Sequence, residues 1–399
     1  MVYHPAPGCG RHVLHGAVLF SLLLCRPTSG HQGLTPWLRS PQAPTSGCQA
    51  RAAGVPVPQR LGARHSARPV HHRHRVQVPL TRAATALAGI LTVPAGPGPC
   101  PAVVLLAGLA LEEHRAAAAG PPPFDALADY LTRRGVAVLR FADRGAVQAD
   151  GALATSTSAD YAAEYAADAR AALAYLRARP EVDAARVGVL GHGEGGTAAI
   201  GAAGRADGAA FLVLLATPGL PGDEVEVQQA VAVLRQAHAS PAQLARAEQR
   251  QRRIVRIVQQ TPDDAQARAK LRPFLAQGPG SSPQARAFAE RALAYFTSPA
   301  YRHRLADRPA RTLPSVRCPV LALHGSADPL LAAGPNLAAL AAALAAAGNA
   351  RVTTRELPEL NHLFQAGSTD NSAYSEHAPA FDPAALRIIA DWVLSNEAG

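Results

Sequence analysis

The stretch RVGVLGHGEGG, residues 186–196, decides how the rest of the chain is read. It begins as a short apolar run without polar alternation, the pattern of a strand covered on both faces. It ends in Gly191, Gly193, Gly195 and Gly196, which let a chain turn sharply. The Ala- and Gly-rich segment from Thr197 onward then predicts a helix whose small side chains pack close to a sheet. A buried strand, a glycine turn and a helix form half of a βαβ unit.

The same unit recurs on both sides. Upstream, AVVLLAG (102–108) and VAVLRF (136–141) read as buried strands. Between them FDALADYLTRRG (124–135) places Phe124, Leu127 and Leu131 on one helical face, with Gly135 as the stop. Thr157 to Asp160 has capping-box spacing and opens a helix to Arg179, with Tyr165, Ala169, Ala172 and Leu176 on one side. Downstream, FLVLLATPG (211–219), CPVLALHGSADP (318–329) and Val352–Leu357 supply further strands. Asp382 is placed to cap a closing helix with Pro383 in its first turn. VQVP (76–79) and LAGILTVP (87–94) suggest an antiparallel pair before the alternation begins. Strands alternating with helices predict an α/β fold, a mostly parallel central sheet flanked by helices.

Residues 220–312 interrupt that rhythm with helical, Arg- and Gln-rich sequence. Ser240-Pro241 and Thr261-Pro262 read as helix starts, a capping residue followed by proline. The run Arg250, Arg252, Arg253 and Arg256 reads as a solvated face. An insertion between two strands at this point is expected to form a helical lid over a pocket. The predicted division is therefore an arm over 1–74, a core over 75–219 and 313–399, and a lid over 220–312.

Charge sharpens this division. The chain has 399 residues and a formal charge of +10, but residues 1–75 hold nine arginines and no acid, and the first acidic residue is Glu112. The basicity belongs to the arm and leaves the remainder nearly neutral. Within the arm, RHVLHGAVLFSLLLCRPTSG (11–30) resembles a secretory signal. Export to the periplasm or beyond is one expectation and a cytoplasmic chain the other. From Ser40 to Arg75 the Pro, Gly, Ala, Arg and His composition lacks periodicity and reads as a linker, His71, His72 and His74 included. No aromatic interleaving supports nucleic-acid binding there, so none is expected. No apolar run reaches membrane-spanning length. Five cysteines without a CxxC spacing argue against a disulfide framework or structural zinc, and no metal or cofactor is expected.

Three positions carry the chemistry. Gly191-His192-Gly193-Glu194-Gly195 has the glycine frame of a G-x-S-x-G nucleophile elbow, the strained turn that lifts a serine hydroxyl above a sheet. The central position holds Gly193, which has no side chain. Asp328 follows one strand and His362, in PELNHLF, follows the next. By itself an Asp after a strand is usually a turn residue, and a lone His is usually structural. Their order relative to the elbow instead suggests an acid that orients an imidazole base.

Residues 75–399 resemble bacterial α/β-hydrolases of the serine-aminopeptidase and dienelactone-hydrolase-like group, including esterase-like members. The resemblance rests on LAGILTVPAGPGPCPAVVLLAG, LADYLTRRGVAVLRFADRG, AALAYLRARPEVDAARVGVLGHGEGG, FLVLLATPGLPGDE, VRCPVLALHGSAD and ELPELNHLFQ. It implies hydrolysis of carboxylic esters or peptide-like bonds by a Ser, Asp, His triad without a cofactor. Carried over by position, that triad is Gly193, Asp328 and His362, with Leu109 and Glu194 on the oxyanion side and Gly191, His192, Gly195 and Gly196 framing the elbow. The departures fall at Gly193, at the loop Ala107–Leu111, and at Ala142 and Val147 beside Arg144 and Gly145.

The expected function is a hydrolase scaffold without its nucleophile that binds an acyl or ester-like small molecule. Two alternatives stay open. One is an active hydrolase using water activated by His362 or a substitute nucleophile. The other is polyanion binding through the basic arm.

Overall fold

The computed structural model describes residues 71–80, 86–107, 123–141, 161–205, 207–275, 283–366 and 381–396. Among these residues eight strands form one sheet: β1 (His71–Pro79), β2 (Ala86–Pro94), β3 (Cys100–Leu106), β4 (Ala137–Phe141), β5 (Val182–His192), β6 (Leu212–Leu215), β7 (Val320–Gly325) and β8 (Val352–Leu357). Their spatial order is β1-β2-β4-β3-β5-β6-β7-β8. β1 and β2 pair antiparallel, β2 runs antiparallel to β4, and β3 to β8 are mutually parallel. This is the α/β-hydrolase fold.

Alternation along the central strands explains their unbroken apolar runs. Ala102, Val104 and Leu106 face one core with Leu212 and Leu214, while Val103 and Leu105 face the other with Val213 and Leu215. The first core is covered by α2 (Tyr161–Arg177), α3 (Glu194–Ala203) and α10 (Ala333–Ala346). The second is covered by α1 (Pro123–Arg133) and α11 (Pro383–Ser395). Both faces are buried, so the runs at the centre of the sheet are almost wholly apolar.

The predicted faces of the helices are observed. Phe124, Leu127 and Leu131 of α1, and Tyr165, Ala169, Ala172 and Leu176 of α2, are buried. Gly135, at φ +94°, ends α1 in a Schellman turn, its N–H bonded to Thr132 O and that of Val136 to Leu131 O. Asp382 caps α11 by accepting from the N–H groups of Ala384 and Ala385. The Thr157–Asp160 spacing lies outside the described residues.

Between β6 and β7 lie α4 (Gly222–Gln236), α5 (Pro241–Gln260), α6 (Asp264–Leu275), α7 (Pro283–Phe296), α8 (Pro299–Ala306) and the single turn α9 (Pro309–Thr312). They bury a core of their own around Val258, Leu271, Phe296 and Tyr301. Ser240 caps α5 through a full capping box with Gln243. The second expected start is displaced. Thr261 is the C-cap of α5, and Asp263 instead accepts from Gln266 N at 2.8 Å to open α6. The buried Thr261 hydroxyl accepts from Lys270 Nζ at 3.1 Å. The arginine run is partly engaged: Arg252 pairs with Glu224 and Glu248, and Arg253 lies over the Phe274 ring.

The start of the core also differs from the expected Arg75. β1 begins at His71, so His71, His72 and His74 are strand residues paired with Pro94, Val93 and Leu91. The composition concealed this because β1 is an edge strand. Only Val78 is fully buried, and its other positions tolerate polar side chains.

Candidate active site

β5 delivers His192 to the edge of the sheet, Gly193 turns the chain, and α3 starts at Glu194. Gly193 sits at φ +55° and ψ −121°, a conformation costly for any residue with a side chain. Its N–H donates to Leu215 O at 3.0 Å and its carbonyl accepts from Gly196 N at 3.0 Å, so the turn is held at both ends. The framing glycines are required by contact. A Cβ on Gly191 would strike the backbone of Gly195 and Gly196, one on Gly195 would strike Leu106 O, and one on Gly196 would strike the Thr217 side chain. At Gly193 the opposite holds. Among the described residues, a Cβ there meets, apart from its chain neighbours, only His362 Nε2, at 3.7 Å.

His362 and Asp328 are brought together as the sequence predicted. His362 Nδ1 donates to Asp328 Oδ2 at 2.7 Å, and the Asp328 side chain is fully buried. The other carboxylate oxygen accepts from the N–H groups of Leu330 and Leu331 at 2.8 and 3.0 Å. Burial alone would raise the Asp328 pKa, but the neighbouring His362 and these hydrogen bonds outweigh it and hold the carboxyl below its usual range. The loop carrying His362 is closed on Asn361, a residue the sequence reading did not single out. Asn361 Oδ1 accepts from Leu363 N and Gln365 N, and its N–H donates to Gln365 O.

Two further imidazoles line this region. His192, between the rings of Phe124 and His362, donates from Nε2 to His362 O at 2.9 Å. Desolvation pushes its pKa down to about 3, so it stays neutral. His324 donates from Nε2 to Thr217 O at 3.0 Å, and burial likewise lowers its pKa. Both hold the Nε2–H tautomer because a carbonyl oxygen can only accept.

Glu194, expected on the oxyanion side, is the first residue of α3, and its carboxylate lies 3.7 Å from Nη1 of Arg304, a residue of α8. Leu109 lies outside the described residues; the nearby Ala107 carbonyl accepts from Tyr165 Oη at 2.9 Å. Among the described residues no three His, Cys, Asp or Glu side chains gather as a metal site, and no helix is long and apolar enough to cross a membrane.

No family model matches the chain, and no curated protein matches it. Solved structures do. Dienelactone hydrolase from Anabaena variabilis aligns with a TM-score of 0.43 and 17% identity, over 82% of this chain and 98% of that one. Est1E from Butyrivibrio proteoclasticus aligns with a TM-score of 0.45 and 14% identity, over 82% and 99%. Porphyromonas gingivalis dipeptidyl peptidase 4 aligns with a TM-score of 0.48 and 15% identity; the chain spans 82% of itself but 36% of that protein.

Proposed function

We propose that the chain binds an acyl or ester-like small molecule at the Gly193 elbow and that its ester or peptide hydrolysis is severely impaired. The observation that carries this reading is the 3.7 Å separation between a Cβ position on Gly193 and His362 Nε2. A serine hydroxyl at that position would come within hydrogen-bond reach of the base. With glycine there, the acid–base pair has no covalent partner. Losing a triad serine costs about 10⁶ in turnover and leaves roughly 10³ to 10⁴ over water.

A second reading draws on the same space. The missing side chain leaves room for a water beside Nε2, which His362 would deprotonate with Asp328 holding its tautomer. In either reading α4–α9 act as a lid, which the contact from α8 to Glu194 supports.

Hydrolysis of 4-nitrophenyl butyrate by the natural protein, Gly193→Ser, and Gly193→Ser with His362→Ala separates these readings. The impaired-triad reading expects background, a clear gain and background, in that order. Turnover by the natural protein that His362→Ala abolishes favours the water mechanism. A folded Gly193→Ser at background overturns the assignment of this site.

A further inference from the structure

The residue after Gly193 carries a carboxylate, and an arginine from the insertion meets it. Arg304 Nε donates to Glu226 Oε1 at 3.0 Å, Nη2 to Tyr295 Oη at 2.6 Å, and Nη1 lies 3.7 Å from Glu194 Oε1. The guanidinium also lies over the rings of Tyr295 and Tyr301. Glu226, on α4, is buried within the insertion, and among the described residues its second oxygen has no hydrogen-bond partner, so Arg304 engages it through Oε1 only. Arg304 therefore spans two bodies of sequence, the helical insertion and the first residue of α3.

We propose that Arg304 is a positioning residue that neutralises Glu194 so that the elbow can receive a developing acyl oxyanion. This rests on the reading of the site given above. In an elbow the N–H of the residue after the nucleophile donates to that oxyanion. Here that residue is Glu194, and donation by its backbone is opposed by negative charge on its own side chain. Charge repulsion over several ångströms in a partly desolvated site is strong enough to decide catalysis. A guanidinium shared between Glu226 and Glu194 removes the conflict without using a residue of the sheet. A lysine would lack the planar fork that serves Glu226, Tyr295 and Glu194 from three nitrogens.

The test is made in the Gly193→Ser protein with 4-nitrophenyl butyrate. Arg304→Met is combined with Glu226→Gln, so that no buried carboxylate is left unpaired. The expected result is a 10- to 100-fold fall in kcat with KM little changed. Adding Glu194→Gln should then recover most of the loss, an outcome that a purely structural Arg304 would not give. A fall that Glu194→Gln does not repair, or no fall at all, overturns the proposal and leaves the site reading intact. Background turnover from folded Gly193→Ser overturns both. If the Met variant fails to fold, Arg304→Gln with Glu226→Gln poses the same charge question with a polar side chain.

Discussion

The imidazole of His192 donates from Nε2 to the backbone carbonyl of His362 across 2.9 Å. The residue before the elbow thus fixes the loop that carries the base. Since Asp328 holds the other end of His362, the imidazole is restrained through its main chain and its side chain at once. Burial, not this hydrogen bond, keeps His192 neutral, because desolvation disfavours the charged ring.

Acid sensitivity follows. His192 in the folded protein titrates near pH 3, and His324 is also lowered, whereas unfolded imidazoles take up protons near pH 6.5. Between those values the unfolded state binds more protons, so stability falls as pH drops below about 6.5. Each such group contributes up to about 1.4 kcal/mol per pH unit. Urea unfolding between pH 7.5 and 4.5 should show this slope. His192→Gln, which keeps a donor but cannot titrate, should reduce it by about one proton. An unchanged slope would mean that His192 is not buried and neutral.

The elbow frame gives a second expectation. A Cβ on Gly195 would collide with the backbone of Leu106 at the end of β3, which cannot move without disturbing the sheet. Gly195→Ala should therefore cost about 1–3 kcal/mol or more, as overpacking does, and lower the thermal midpoint by several degrees. Gly334→Ala, where a Cβ meets nothing within 4 Å among the described residues, is the control. Equal midpoints for the two variants would contradict the packing described.

The parts of this fold visible in sequence are those decided by local pattern. Strands covered on both faces carry long apolar runs, so β3, β4, the second half of β5 and β7 were legible from local pattern. The elbow glycines, Asp328 and His362 were legible because their order along the chain is informative. What could not be read depends on distant partners. Arg304 and Glu226 are 78 residues apart and meet only once α4 and α8 pack. β1 has a single neighbour and so carries polar residues at its start; VQVP (76–79) was legible as strand, but nothing in residues 71–75 separates them from a linker. Thr261 lost its expected cap to Asp263, two residues on, because either side chain satisfies the local rule.

Truncation tests the revised boundary. Residues 1–70 are rich in Pro, Gly, Arg and His and offer little apolar surface beyond the 13–24 stretch. A chain starting at His71 is expected to keep its thermal midpoint within about 4 °C, less than ~2 kcal/mol at this size. One starting at Leu80 loses β1, the burial of Val78 and every ladder bond to β2. Burying one such side chain is worth about 1.5–3 kcal/mol, so the second chain should melt clearly lower. If the two melt together, β1 adds nothing to the sheet.

A fluorophosphonate probe tests the vacant position directly, because it forms a stable adduct only with an activated nucleophile. The natural protein should show no stoichiometric labelling on any serine, since Gly193 presents no side chain to His362. Gly193→Ser should be labelled at residue 193, and His362→Ala in that background should abolish the adduct by removing the base. The substitution carries a cost, because φ +55° with ψ −121° is strained for a residue with a Cβ and should cost about 1 to 3 kcal/mol. Gly193→Ala should pay that strain without gaining the hydroxyl, so it serves as the stability reference. The two variants should melt alike and differ only in labelling. Labelling of the natural protein on any serine would show that a substitute nucleophile exists and that the chain is not impaired. An unlabelled but folded Gly193→Ser would mean that Nε2 does not act on the residue at 193, whatever their separation.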